Sequence, residues 1–100
     1  MEKFKAHYSL SLLKQAVAVK GVSSFTKTAL AGGKALGLTT SEMLRVIGGL
    51  TNNLLYKSMT TYSDSSVWQD VYLAVLSNGR NAYIKITLVS ETPVIQFKEK

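Results

Sequence analysis

One hundred residues, 10.9 kDa and 46% hydrophobic content specify one domain with its own core, because a chain of this size buries roughly 60–65% of its unfolded surface. No cysteine and a single histidine exclude a disulfide framework, a thiolate nucleophile and cysteine-based zinc or iron–sulfur sites, and leave little other metal chemistry. Twelve basic residues against six acidic ones, a net charge of +6 and a pI near 9.7 point to an anionic partner.

The charged start Met1-Glu2-Lys3-Phe4-Lys5 is followed neither by a signal-peptide-like apolar run nor by the ~20 apolar residues that cross a bilayer. A soluble, cytoplasmic protein with no membrane partner is expected. The positive charge is concentrated in residues 1–50, where seven basic residues against Glu2 and Glu42 leave +5, while five against four leave +1 in residues 51–100. Such a basic half suits nucleic acid, an acidic protein or a membrane surface.

From residue 9 to about 50 the pattern is helical. Leu10, Leu13 and Val17, joined by Leu12 and Ala16, recur at three- and four-residue spacings, with Ser9 placed to cap and Gly21 to end the helix. A weaker stretch from about Ser24 to Leu36 directs Phe25, Ala29, Leu30 and Leu36 inward, although Gly32-Gly33 interrupts it at about 1 kcal/mol per glycine. The third helix is the clearest. Thr39 and Glu42 form a capping box, Met43, Leu44, Val46, Ile47 and Leu50 are its apolar set, and Gly48-Gly49 closes it.

After Thr51-Asn52-Asn53 the texture becomes β, rich in Tyr, Val, Ile and Thr, with turn signals at Ser63-Asp64-Ser65, Ser77-Asn78-Gly79 and Glu91-Thr92-Pro93. Four strands fit between them. In Tyr83–Val89, Ile84, Ile86 and Leu88 alternate with Tyr83, Lys85 and Thr87; in Val94–Lys98, Ile95 and Phe97 alternate with Gln96 and Lys98. These two form a hairpin whose second face carries Tyr83, Lys85, Gln96 and Lys98, and Lys57 of the first strand can join it. The fold class expected is therefore α+β, with short N-terminal helices packed on a mainly antiparallel sheet from the C-terminal half. There is no internal repeat, linker or low-complexity segment.

Most candidate chemistry fails on inspection. Gly21–Thr28 (GVSSFTKT) approaches the phosphate-binding pattern G-x-x-x-x-G-K-S/T, but Thr26 stands where the second glycine is required, and the segment precedes rather than follows the strands. His7 can serve as a general base, yet a lone histidine near a terminus is more often a surface residue. Asp64 lies in a turn signal and Asp70 beside Trp68 in a strand, so both read as structural. What remains is the polar sheet face. Its lysines can stabilise the charge of a pentacoordinate phosphate, a lysine crowded by cations can exchange protons, and tyrosine can stack on a base or take part in proton transfer. An exposed antiparallel face also carries Lys, Thr and Tyr simply because it is wet.

Four ordered blocks, Tyr56–Asp64 (YKSMTTYSD), Trp68–Tyr72 (WQDVY), Tyr83–Thr87 (YIKIT) and Phe97–Lys100 (FKEK), resemble the MqsR family, bacterial mRNA-interferase toxins of type II toxin–antitoxin systems. The resemblance covers the β half in order and spacing, and more weakly Met1-Glu2-Lys3 with His7, Gly37-Leu38 and Ile47-Gly48-Gly49-Leu50. It implies a RelE-like single domain over residues 1–100, endoribonuclease activity on single-stranded mRNA with GCU-type sites preferred, and neutralisation by a cognate MqsA-type antitoxin. Carried over by position, the proposed catalytic residues are Lys57, Gln69, Tyr83 and Lys98; Lys85, Tyr56, Arg80 and His7 are expected separately as RNA contacts. Gln69 is discordant, since alternation groups it with Val67, Val71 and Leu73, so a bulge re-aims it or its amide lies at a sheet edge. The loop Ser77–Asn81 and most of residues 8–35 depart from the family pattern.

The activity implied needs no cofactor or metal when the 2′-hydroxyl attacks the adjacent phosphorus, leaving a 2′,3′-cyclic phosphate and a 5′-hydroxyl. Such a reaction requires a base, an acid and cationic stabilisation, and with one histidine in the chain Lys57, Tyr83 and Lys98 must divide that work. The sequence alone leaves base and acid unassigned. A non-catalytic RNA- or DNA-binding module, with tyrosines stacking on bases, is the alternative, and a purely protein-binding module ranks after it. The free chain is expected to be a monomer.

Overall fold

In the computed structural model, which describes residues 1–100, the helical half forms a layer over one face of a five-stranded sheet. Helix α1 (Leu10–Lys20) starts where the Ser9 hydroxyl accepts the Leu12 N–H and ends at Gly21 with φ +59°, the left-handed conformation that glycine adopts without strain. Leu10, Leu13 and Val17 are its buried stripe. A short 3-10 turn (Gly21–Ser24) follows, and Phe25 then bridges in parallel to Ile95, with the Thr26 N–H donating to the Ile95 carbonyl at 3.1 Å.

That bridge corrects the sequence-based start of the second helix. Helix α2 runs Lys27–Ala35, because Thr26 is its N-cap, accepting the Ala29 N–H at 3.0 Å, and the backbone before it serves the sheet. Phe25, Ala29 and Leu36 are buried as expected. The glycine pair that weakens α2 as a helix is what lets it pack closely. A Cβ on Gly32 would collide with the Phe97 carbonyl, and one on Gly33 with the Met43 side chain. Helix α3 (Thr40–Gly48) has the reciprocal Thr39–Glu42 capping box, at 3.1 and 2.9 Å, and buries Met43 and Ile47.

The sheet comprises β1 (Glu2–Lys3), β2 (Leu55–Thr60), β3 (Trp68–Val75), β4 (Asn81–Val89) and β5 (Thr92–Glu99), paired antiparallel in the order β1-β2-β3-β4-β5. Five strands stand where four were expected, since two-residue β1 is too short to show an alternation. It is held by register with β2 and by the Thr60 N–H donating to the Met1 carbonyl at 2.9 Å. The last turn also lies earlier than its signal: Ser90 and Glu91 take φ of 49° and 66°, a two-residue hairpin connection, and Thr92 and Pro93 already belong to β5. Proline is tolerated there because β5 is an outer strand.

The core lies between the helices and one sheet face. Tyr72, Ile84, Ile86, Ile95 and Phe97 meet Leu13, Leu36, Met43 and Ile47 in one buried cluster, each large side chain contributing about 1.5–3 kcal/mol. Asp70, also buried on this face, accepts the backbone N–H groups of His7 and Tyr8 at 3.0 and 2.9 Å and the Ser58 hydroxyl at 2.6 Å. It is structural, as read from the sequence. By tying the chain ahead of α1 to β3, it places β1 at the edge of the site described next. Burial pushes the Tyr72 phenol up to about 12.

Candidate active site

The opposite sheet face is built by the alternate residues of the same strands. One row runs from Lys57 through Val71 and Lys85 to Gln96; Leu73, Tyr83 and Lys98 form the row on one side, and Glu2, Met59 and Gln69 the row on the other. Side chains directly opposite across strands are close neighbours, so four segments far apart in sequence converge here. Lys57, Gln69, Tyr83 and Lys98 all share this face, together with Lys85.

Gln69 reaches the site without a bulge of its own. Alternation grouped it with Val71 and Leu73, and that grouping holds; these apolar residues themselves lie on the polar face. The irregularity is in β2, between Leu55 and Lys57. It lets Leu55 pack against the core while Lys57 faces the other way. Val71 is fully buried although it stands outside the main core cluster. It forms an apolar floor between Lys57 and Lys85, its neighbours in register on either side.

The charges here are ordered by specific partners. Lys57 Nζ donates to Glu2 Oε1 at 2.5 Å, with 21% of the Lys57 side chain and 51% of the Glu2 side chain exposed. That hydrogen bond raises the Lys57 ammonium above its ordinary value and lowers the Glu2 carboxyl below its own. Lys57 also lies 5.4 Å from the exposed Tyr56 ring, and Lys98 Nζ lies 5.3 Å from the Tyr83 ring, both in cation–π range. Lys85 is half-buried and has no carboxylate partner. Burial, then the nearby Lys98 charge, pushes its ammonium below the ordinary lysine value.

Two of the further RNA-contact residues are engaged elsewhere. The Arg80 guanidinium grips both Glu99 carboxylate oxygens at 3.1 and 2.9 Å and donates to the Ala35 carbonyl at 3.0 Å, clamping the end of α2 to the sheet. His7 stacks on Trp68, with centroids 5.2 Å apart, and meets Lys3 Nζ at 3.0 Å through Nδ1. Lys3 and Trp68 are in register with Ser58 and Thr60, on the helix side of the sheet. Conversely, Glu2 belongs to the site and was not singled out. Its signal is hidden, because the pairing with Lys57 depends on β1 joining β2 across 55 positions of sequence.

No three His, Cys, Asp or Glu side chains gather into a metal-holding group. A surface depression of about 290 Å³ between α3 and the end of β3 is lined mainly by Leu38, Val46, Leu50, Leu54 and Val75 and holds no part of the lysine face. No helix is long and apolar enough to cross a membrane. What the site offers is three ammonium groups, a phenol and two carboxamides over an apolar floor, suited to holding a phosphodiester and its bases.

Two comparisons with known proteins agree. Residues 5–99 match the MqsR toxin family, described as motility quorum-sensing regulator, toxin of MqsA. The chain is also 44% identical over its full 100 residues, and over all of the relative, to the mRNA interferase toxin MqsR of Escherichia coli strain K12.

Proposed function

The chain belongs to the MqsR toxin family, and from that premise and the lysine face we propose that it is a toxin endoribonuclease that cuts single-stranded mRNA in the cytoplasm. The cut falls at GCU-type sites and proceeds without a metal, by attack of the ribose 2′-hydroxyl on the adjacent phosphorus. A cognate antitoxin of the MqsA type holds the activity in check. One observation carries the reading: Lys57, Gln69, Tyr83 and Lys98, drawn from four strands, stand on one open sheet face.

In this reading the ammonium groups of Lys57 and Lys98 hold the phosphate and stabilise the extra negative charge of its pentacoordinate state. Glu2 keeps Lys57 protonated and limits its motion. Tyr83, with Lys98 against its ring, stacks on a nucleobase or supplies a proton. Gln69 hydrogen-bonds a base edge or the phosphate. The open sheet face suits a single strand, whose unstacked bases can reach these side chains, and the net +6 charge suits both RNA and an acidic antitoxin segment.

The test is incubation of chelator-treated protein with a defined single-stranded RNA containing one GCU, beside Lys57→Ala and Lys98→Ala, with both new ends mapped chemically. Cuts at GCU bearing a cyclic phosphate, slowed roughly 100-fold or more in each variant, are expected. Wild-type cleavage rates in Lys57→Ala would remove the centre of the reading, and RNA that binds but survives intact would establish a binding module instead.

A further inference from the structure

We propose that Lys85 is the acid of the cleavage step, handing a proton from its ammonium to the departing 5′-oxygen; this rests on the ribonuclease reading above. In-line displacement at phosphorus sets the attacking and leaving oxygens at opposite poles, so groups serving the two poles must straddle the phosphate. With a phosphate held over Val71, Lys57 and Lys85 would do so. They stand one strand to either side of Val71 in the same register row, about 10 Å apart by strand spacing, with that buried side chain as the floor between them.

The two lysines are not equivalent. Lys57 is bound to Glu2 at 2.5 Å, an arrangement that retains its proton. Lys85 has no carboxylate partner, is half-buried on β4, and stands opposite Gln96 of β5 with Lys98 diagonal to it on the same strand. From β3 the side chains on its face are the uncharged Gln69, Val71 and Leu73. Burial and the Lys98 charge make its ammonium a readier donor than an ordinary lysine.

The step then balances. The 2′-hydroxyl gives its proton to solvent as the 2′-oxygen–phosphorus bond forms, and the bond from phosphorus to the 5′-oxygen breaks with its electron pair on oxygen. That oxygen takes a proton from Lys85, whose neutral amine is reprotonated by solvent. No oxidant, reductant or water nucleophile enters.

The experiment pairs two RNAs, one normal and one with sulfur replacing the 5′-oxygen of the scissile bond, a leaving group that departs without protonation. Against the normal RNA, Lys85→Met, which keeps the stem over Val71, is expected to fall roughly 100-fold or more; against the sulfur RNA it cuts within a few-fold of wild type. Because the chain has no cysteine, Lys85→Cys can be aminoethylated at one thiol to restore an ammonium. Alkylation is expected to restore cutting of normal RNA while changing cutting of the sulfur RNA only a few-fold, and this pair of rates decides the matter even if Lys85→Met folds poorly. Equal losses on both RNAs would make Lys85 a phosphate contact only and overturn the proposal. So would the sulfur rescue appearing in Tyr83→Phe instead, or no loss at all in Lys85→Met. Failure of the wild-type chain to cut either RNA would sink the ribonuclease reading itself, a distinct result.

Discussion

The two faces of this sheet are made by the same four long strands, yet they obey different physics. On the helix side, Ile84, Ile86, Ile95 and Phe97 are removed from water, and neighbours constrain each in shape. On the other side, Tyr83, Lys85, Gln96 and Lys98 alternate with them and remain in contact with solvent. Alternation thus lets one residue serve stability while the next faces outward. The separation is not complete, since Val71 and Thr87 are buried on the polar face and give its charges a partly dry floor, where electrostatic effects are stronger than in open water.

Adjacent residues offer the sharpest way to break this comparison. Phe97→Ala should cost about 3–5 kcal/mol, lowering the melting temperature by roughly 15 °C or more in a 100-residue domain. Its neighbour Lys98→Ala should change stability by less than about 0.5 kcal/mol while cleavage drops as described above. A large stability loss in Lys98→Ala would mean that the faces are coupled. The same contrast at β3 is expected to be somewhat smaller. Asp70→Ala leaves the His7 and Tyr8 N–H groups without their acceptor, at a cost of about 3 kcal/mol, whereas Gln69→Ala should leave denaturant unfolding nearly unchanged and slow cleavage roughly tenfold or more.

What could be read from the sequence follows the same division. Helices α1 and α3 were legible because their caps, Ser9 and the Thr39–Glu42 box, are local, and β4 and β5 because their alternation is strict. The start of α2 was not, since Thr26 is fixed by a bridge to Ile95 far along the chain. The lysine face was visible in β4 and β5. Gln69 looked out of place only because apolar Val71 and Leu73 share its face, a consequence of the floor beneath the lysines. Arg80 looked available until Glu99 and the Ala35 carbonyl were brought to it by tertiary packing. Each miss involves a partner tens of residues away or, for Gln69, a burial that only the assembled face produces.

The smallest expected effect concerns the one ion pair on the polar face. In the pair Glu2 is lowered from 4.5 and Lys57 raised from 10.5, in each case chiefly by their mutual hydrogen bond. A lowered carboxyl contributes stability that is present above its unfolded value and lost as pH falls through the folded one; a raised lysine contributes stability present below its unfolded value and lost as pH rises through the folded one. Wild type should therefore melt slightly above Glu2→Gln between pH 4.5 and 10.5, with the two curves meeting in more acidic and more alkaline solution, and added salt should narrow the gap. RNA binding should move the other way. With the carboxylate gone, nothing competes with a phosphate for the Lys57 ammonium, so Glu2→Gln should bind uncleavable RNA more tightly at low salt. Tighter binding with an unchanged melting curve would assign Glu2 to the site alone, and the reverse would return it to the fold.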